Sequence, residues 1–211
     1  MNFVVLGAPG AGKGTQASVL AQKYDIPIIS TGKIIRDAMR DNTPFGEKCR
    51  PYMDIGSLVP DELIIPELSK RLTESDCIGG FILDGFPRTI PQAIELNRKG
   101  IAIDAVISIE VDDEIIVKRL LGRRICSNCG KSYHIIDNPP EIPNKCGKCG
   151  ADLMIREDDN EKIIRARLKM YHERTAPLKC YYSGCDKLKI IQGQANVDDT
   201  TKLTLEAVKN L

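Results

Sequence analysis

Three groups of residues carry chemistry, and each is defined by spacing. Gly7-Ala8-Pro9-Gly10-Ala11-Gly12-Lys13-Gly14-Thr15 sits between a short apolar run and a stretch without helix breakers. Glycines let successive backbone N–H groups turn onto phosphate oxygens, the next helix N-terminus adds partial positive charge, and Lys13 adds a full one. In this context the pattern reads as a P-loop. It has one departure: Gly14 stands where Ser or Thr is usual and Thr15 follows, so the hydroxyl that would meet Mg²⁺ is out of its usual place. Asp84 ends the apolar run Phe81-Ile82-Leu83, where an aspartate beside a P-loop commonly holds Mg²⁺. It opens Asp84-Gly85-Phe86-Pro87-Arg88-Thr89, followed by Gln92. Gly85 allows close backbone approach, Arg88 can fork onto two phosphate oxygens, and Gln92 offers donor and acceptor to a base edge. Finally, Cys126-x-x-Cys129 and Cys146-x-x-Cys149 have the spacing of a four-thiolate zinc site, with Gly130 and Gly150 easing each turn. Four thiolates close the shell, so such a metal is structural rather than catalytic.

These groups need a frame, and the hydrophobic pattern describes one. Phe3–Leu6, Ile26–Ile29, Phe81–Asp84, Ala105–Val111 and Leu188–Ile191 read as strands. Between them, Lys13–Tyr24, Thr31 to about Arg40 behind Ser30 or Thr31 as cap, stretches opening at Pro44 and at Pro60-Asp61, one after Asp112-Asp113-Glu114, Glu161–Tyr182 and Asp198–Leu211 read as helices. Strands alternating with helices predict an α/β fold with a parallel sheet. Cys126–Met154 breaks the rhythm. It is rich in Cys, Gly, Pro and Asn and reads as an inserted subdomain.

Composition excludes several classes. The chain has 211 residues, 42% hydrophobic and 28% charged, enough for a real core and unlike a disordered chain or a membrane bundle. Lys plus Arg total 30 and Asp plus Glu 29, so no global field favours nucleic acid or anionic lipid. The segment 122–159 is balanced too, with Arg123, Arg124, Lys131, Lys145, Lys148 and Arg156 against Asp137, Glu141, Asp152, Glu157, Asp158 and Asp159. That makes a poor phosphate-backbone surface, and with no Trp, 6 Tyr and 4 Phe the chain has few stacking platforms. The N-terminus lacks a basic leader, and no stretch has the length of a membrane helix, so a cytoplasmic protein is expected. Cys180 and Cys185 read as buried or inert thiols, and His134 and His172 as structural.

The P-loop, Ser30-Thr31-Gly32 with Arg36, Asp84 to Gln92, Gly122-Arg123-Arg124 and the cysteine pairs stand in one order along essentially the whole chain. In this the chain resembles the adenylate kinase family, in its long-lid, zinc-containing bacterial type. The resemblance implies a P-loop NTPase-like parallel sheet flanked by helices, with an AMP-binding helical insertion at 30–59 and a small zinc-containing lid at 122–159. The core would be 1–29, 60–121 and 160–211. It implies reversible, Mg²⁺-dependent transfer of the γ-phosphoryl group of ATP to AMP, giving two ADP, by a monomer. ATP would meet Gly10, Ala11, Gly12, Lys13, Gly14, Thr15, Arg119, Arg123, Ser132, Tyr133 and Ala195. AMP would meet Thr31, Arg36, Ser57, Leu58, Val59, Gly85, Phe86, Pro87, Arg88 and Gln92, with Arg156 and Arg167 clamping the reacting phosphates. Lys13, Asp84, Arg88, Arg123, Arg156 and Arg167 would form the catalytic set, and Cys126, Cys129, Cys146 and Cys149 would hold structural Zn²⁺. Arg156 could instead pair with the nearby Asp158 and Asp159. The family commonly has an acid where this chain has Lys33; that lysine would face water or phosphate. Two alternatives remain: a kinase for another nucleoside monophosphate, and a zinc-ribbon P-loop module binding nucleic acid.

Overall fold

The apolar run at the N-terminus becomes the central strand of a parallel sheet. In the computed structural model, which describes residues 1–209 and 211, β1 (Asn2–Gly7) pairs in parallel with β3 (Phe81–Asp84) and β4 (Ala105–Glu110). Outside β3 lies β2 (Ile28–Ser30), and outside β4 lies β8 (Leu188–Gln192), giving the order β2-β3-β1-β4-β8. Side chains alternate along β1. Phe3 and Val5 join one core with Leu20, Ile107, Ile116 and Ile164; Val4 and Leu6 join the other with Ile35, Ile64, Leu83 and Leu178. Both faces are covered, as a parallel sheet requires.

Helices α1 (Lys13–Tyr24), α2 (Thr31–Arg40), α3 (Pro44–Asp54), α4 (Asp61–Leu72), α5 (Ile90–Arg98) and α6 (Asp113–Leu121) follow the first four strands. α5 is absent from the elements expected on hydrophobic pattern, although Thr89 caps it by accepting from the Gln92 N–H at 3.4 Å. The single helix expected over 161–182 is broken. α7 (Glu161–Met170) gives way to a π-helical turn at Tyr171–Thr175 and then to α8 (Leu178–Ser183). Pro177 has no N–H to continue the ladder, and the ring crowds the preceding turn. The last helix, α9, spans Val197–Ala207, shorter than the expected 198–211; position 210 of that span lies outside the described residues.

Cys126–Met154 lies within a second, small antiparallel sheet with its returns. β5 (Arg123–Cys126) is flanked by β6 (Ser132–His134) and β7 (Leu153–Met154). Its buried cluster is Cys126, Tyr133 and Cys146, with Ala151 and Leu153 against it. No described helix is long and apolar enough to cross a membrane.

Candidate active site and metal centre

The C-terminal ends of β1 and β3 deliver the two reactive loops side by side, since Val5 is in register with Asp84. Gly12 has φ +100°, a left-handed conformation in which L side chains are strained, and directly precedes α1. No side chain caps that helix, which leaves its first N–H groups for an anion. Lys13 Nζ folds back and donates to the carbonyls of Gly7 and Ala8, both at 2.9 Å. Burial pulls its pKa down to about 8; Asp84 opposes this, while Arg88, Arg167 and Arg123 add to it. Asp84 accepts from Ser30 Oγ at 3.3 Å.

Two clefts meet here. One spans about 530 Å³ with its open mouth counted, and is lined by residues including Lys13, Leu58, Gly85, Pro87, Arg88 and Arg167. The other, about 360 Å³, is lined by residues including Thr31, Ser57, Leu58, Val59, Phe86, Arg88 and Gln92. Leu58, Gly85 and Arg88 belong to both. Gln92 is buried, its Oε1 accepting from the Arg88 N–H at 2.6 Å and its Nε2 donating to Asp61 at 2.6 Å. Thr31 Oγ1 donates to the Gly85 carbonyl at 2.8 Å. Gly85 has φ +84°, and a Cβ there would stand 3.0 Å from Thr31 Oγ1 and 3.1 Å from an Arg88 nitrogen.

Arg88 and Arg167 line these clefts, and Arg36, Arg123 and Arg156 join Arg167 around one carboxylate. Arg123 grips both oxygens of the buried Asp159, its Nε at 2.7 Å. Arg156 grips both oxygens of Asp158 at 3.0 Å, and Arg167 reaches the same carboxylate at 2.9 Å. Burial pushes the guanidiniums of Arg36 to about 9 and Arg167 to about 10, and lowers Arg156 and Arg88. Asp158 moves down despite its own burial, because Arg167, Arg156, Arg36 and Arg123 surround it. Two carboxylates thus hold together cations that would otherwise repel one another.

In the small sheet the four sulfurs of Cys126, Cys129, Cys146 and Cys149 lie within 4.8 Å of one another. Cys126–Cys149 is 3.4 Å and Cys129–Cys146 is 3.6 Å. A tetrahedral site with Zn–S near 2.3 Å has sulfur–sulfur edges of about 3.8 Å, so the cluster fits a metal of that size. Gly130 and Gly150 both have positive φ, 71° and 74°, at the ends of the two turns. The Tyr133 hydroxyl accepts from the Gly147 N–H at 2.8 Å and lies 3.4 Å from Cys146 Sγ, which it favours as thiolate, pulling its pKa to about 6.

A family model described as adenylate kinase matches residues 5–187. This chain belongs to the adenylate kinase family. An adenylate kinase of Acetivibrio thermocellus is 48% identical over all of this chain and 99% of that protein. One of Caldicellulosiruptor bescii is 49% identical over 99% of each, and one of Geobacter sulfurreducens 44% over 100% and 99%.

Other residues implied by the adenylate kinase resemblance stand apart from the two clefts. Arg119 donates to the Gln194 carbonyl at 2.9 Å, beside Ala195. Ser132 and Tyr133 lie on β6 opposite Ile125 and Arg124, with Ser132 exposed and the Tyr133 ring turned into the cysteine cluster. Lys33 is exposed and pairs with Asp37 on its own helix. Cys180 and Cys185 are exposed, so of the reading as buried or inert thiols the burial does not hold: α8 turns Leu178 and Tyr182 inward instead. His172 meets Asp113 at 2.9 Å, and His134 Nδ1 accepts from the Asp137 N–H at 3.0 Å, both structural contacts. Sequence reasoning missed Met170, Tyr171 and Thr175, which line the first cleft. Met170 ends α7 and the other two lie in the broken turn, and no motif announces them.

Proposed function

We propose residue roles for the ATP:AMP phosphotransfer that membership of this family gives the chain. The observation that carries them is that two clefts meet at one arginine, Arg88. The cleft at the P-loop takes ATP, with Gly10–Thr15 around its phosphates; the cleft at Thr31 and Gln92 takes AMP, with Arg36 and the Ser57–Val59 segment closing around it. Arg119 and Ala195 flank the ATP base, with Ser132 and Tyr133 covering from the small sheet. The AMP phosphate oxygen is already ionised at neutral pH, so no general base is needed. Lys13, Arg88, Arg123, Arg156 and Arg167 position the phosphates and offset the charge spread over the transferring group. Asp84 and Thr15 are the residues that would hold Mg²⁺, which would supply positive charge to offset that of the phosphates.

The clamp arginines already carry carboxylates, so arriving phosphates exchange partners with Asp158 and Asp159 rather than entering a bare cationic pocket. Segments 30–59 and 122–159 close over the clefts and exclude water, which would otherwise receive the phosphoryl group. Zn²⁺ in the four-cysteine cluster stiffens the closing sheet. Both clefts lie in one chain, which supports a working monomer, and cysteines left as thiols or set to hold a metal suit a reducing cytoplasm.

The test mixes the protein with Mg·ATP and AMP, dAMP, GMP, CMP or UMP and quantifies the diphosphates. Turnover confined to AMP and dAMP is expected. Preference for another monophosphate would overturn the roles of Thr31 and Gln92. Absence of transfer, with salt-sensitive binding to RNA or DNA, would favour a nucleic-acid module.

A further inference from the structure

Arg88 is held at three points, and one anchor comes from a residue that takes no part in the proposed phosphate contacts. Its N–H donates to Gln92 Oε1 at 2.6 Å, and its Nε donates to the Gly85 carbonyl at 2.8 Å. Both of those anchors are local. The third is the Arg88 carbonyl, which accepts from Thr175 Oγ1 at 2.9 Å across 87 positions of sequence. Thr175 is buried, 8% exposed, and lines the same cleft as Arg88, Arg167 and Lys13.

The break in the helix is what aims this hydroxyl. In a regular helix a Ser or Thr hydroxyl bonds the carbonyl four residues back, as Ser18 does to Gly14 at 2.9 Å and Thr204 to Thr200 at 2.8 Å. Thr175 does not. The Ala176 N–H reaches back five residues to the Tyr171 carbonyl at 2.8 Å, so the turn is wider by one residue. An extra residue rotates the rest of the helix by about 100°. The turn is also continuous with α7, which carries Arg167. One hydroxyl therefore ties the helix of Arg167 to the loop of Arg88.

We infer that Thr175 is a positioning residue for phosphoryl transfer: it fixes the Arg88 loop relative to the helix of Arg167, so that both guanidiniums meet the transferring phosphates in register. The inference rests on Arg88 being a phosphate clamp. A displacement of the order of 1 Å in such a group costs about 100-fold, so a small slackening of the loop is readable in kinetics.

The experiment compares Thr175→Val, Thr175→Ser, Arg88→Lys and the Val/Lys double variant in steady-state ADP formation. Val keeps the shape and removes the donor. It should lower kcat/KM for AMP about 10-fold, the worth of one buried hydrogen bond, with KM for ATP within about 2-fold. Thr175→Ser should recover most of the loss. In the Arg88→Lys background Val should cost little more, because the group it positions is gone. Backbone amide exchange over 85–92 should quicken in both variants that carry Val and not in Thr175→Ser or Arg88→Lys. If that variant does not fold, Thr175→Ala is read the same way. Unchanged kinetics in Val with impaired Arg88→Lys would overturn the inference alone. So would a rise in KM for ATP as large as the loss in kcat/KM for AMP, no recovery in Ser, or full additivity. A silent Arg88→Lys would overturn the clamp reading and this inference together.

Discussion

Lys13 should take up a proton when ATP binds. Burial under the phosphate loop pulls its pKa from 10.5 to about 8, with Asp84 opposing and Arg88, Arg167 and Arg123 adding to the fall. At pH 8 about half of the ligand-free chains then carry a neutral Lys13. Returning the amine to its ordinary value takes about 3 kcal/mol. One phosphate charge about 4 Å away, at an effective dielectric of about 20, supplies about 4 kcal/mol before other costs. ATP brings several such charges, so the bound lysine is charged. Binding at pH 8 should therefore absorb about half a proton, and affinity should fall up to about tenfold per pH unit above pH 8.

The sign for folding is opposite. A lysine whose folded pKa lies below its unfolded value holds the fold back fully below pH 8, and that penalty fades as pH rises from about 8 to 10.5. Calorimetric titration of ATP without AMP, in two buffers of different ionisation enthalpy, reads the proton number directly. In Lys13→Arg the guanidinium stays charged throughout, so the uptake should vanish. Uptake below about 0.1 proton in the parent, or equal uptake in the Arg variant, would refute the reasoning.

Removing the metal from the four cysteines should abolish amide protection across 123–154 while leaving β1, β3 and β4 protected, since the small sheet buries little besides Cys126, Tyr133 and Cys146; hydrogen exchange with a colorimetric metal assay, expecting one zinc per chain, checks this. Gly85→Ala should cost about 1–3 kcal/mol of stability from the left-handed backbone and raise KM for AMP by about tenfold or more as Thr31 and Arg88 are pushed aside, with KM for ATP unchanged. Arg119→Ala should raise KM for ATP by about 3- to 10-fold, the worth of one cation–ring contact, with kcat unaltered.

The reactive strings were legible because each depends on local backbone geometry. A glycine loop that approaches phosphate, or a Cys-x-x-Cys turn that aims two sulfurs at one point, is written within a few neighbouring residues. The strands were legible because a doubly covered parallel sheet demands unbroken apolar runs. α5 is hard to read although its cap is ordinary, because Asp84–Gln92 stands out as chemistry and Gln92 is already in the first turn of that helix. The strands of the small sheet have two to four residues each, too few to make a period.

By itself, then, the sequence determined the parallel α/β plan, the P-loop, the aspartate and arginine at the end of β3 and just beyond it, and the four-thiolate cluster, since these need only short-range stereochemistry and hydrophobic alternation. Tertiary structure alone decided how the charges pair. Asp159 takes Arg123 although Arg156 is nearer in sequence, and Asp158 joins Arg156 to Arg167. It also decided that α7 breaks and sends Thr175 to Arg88. Such contacts depend on where separate elements come to rest against one another, and packing of the whole core sets that.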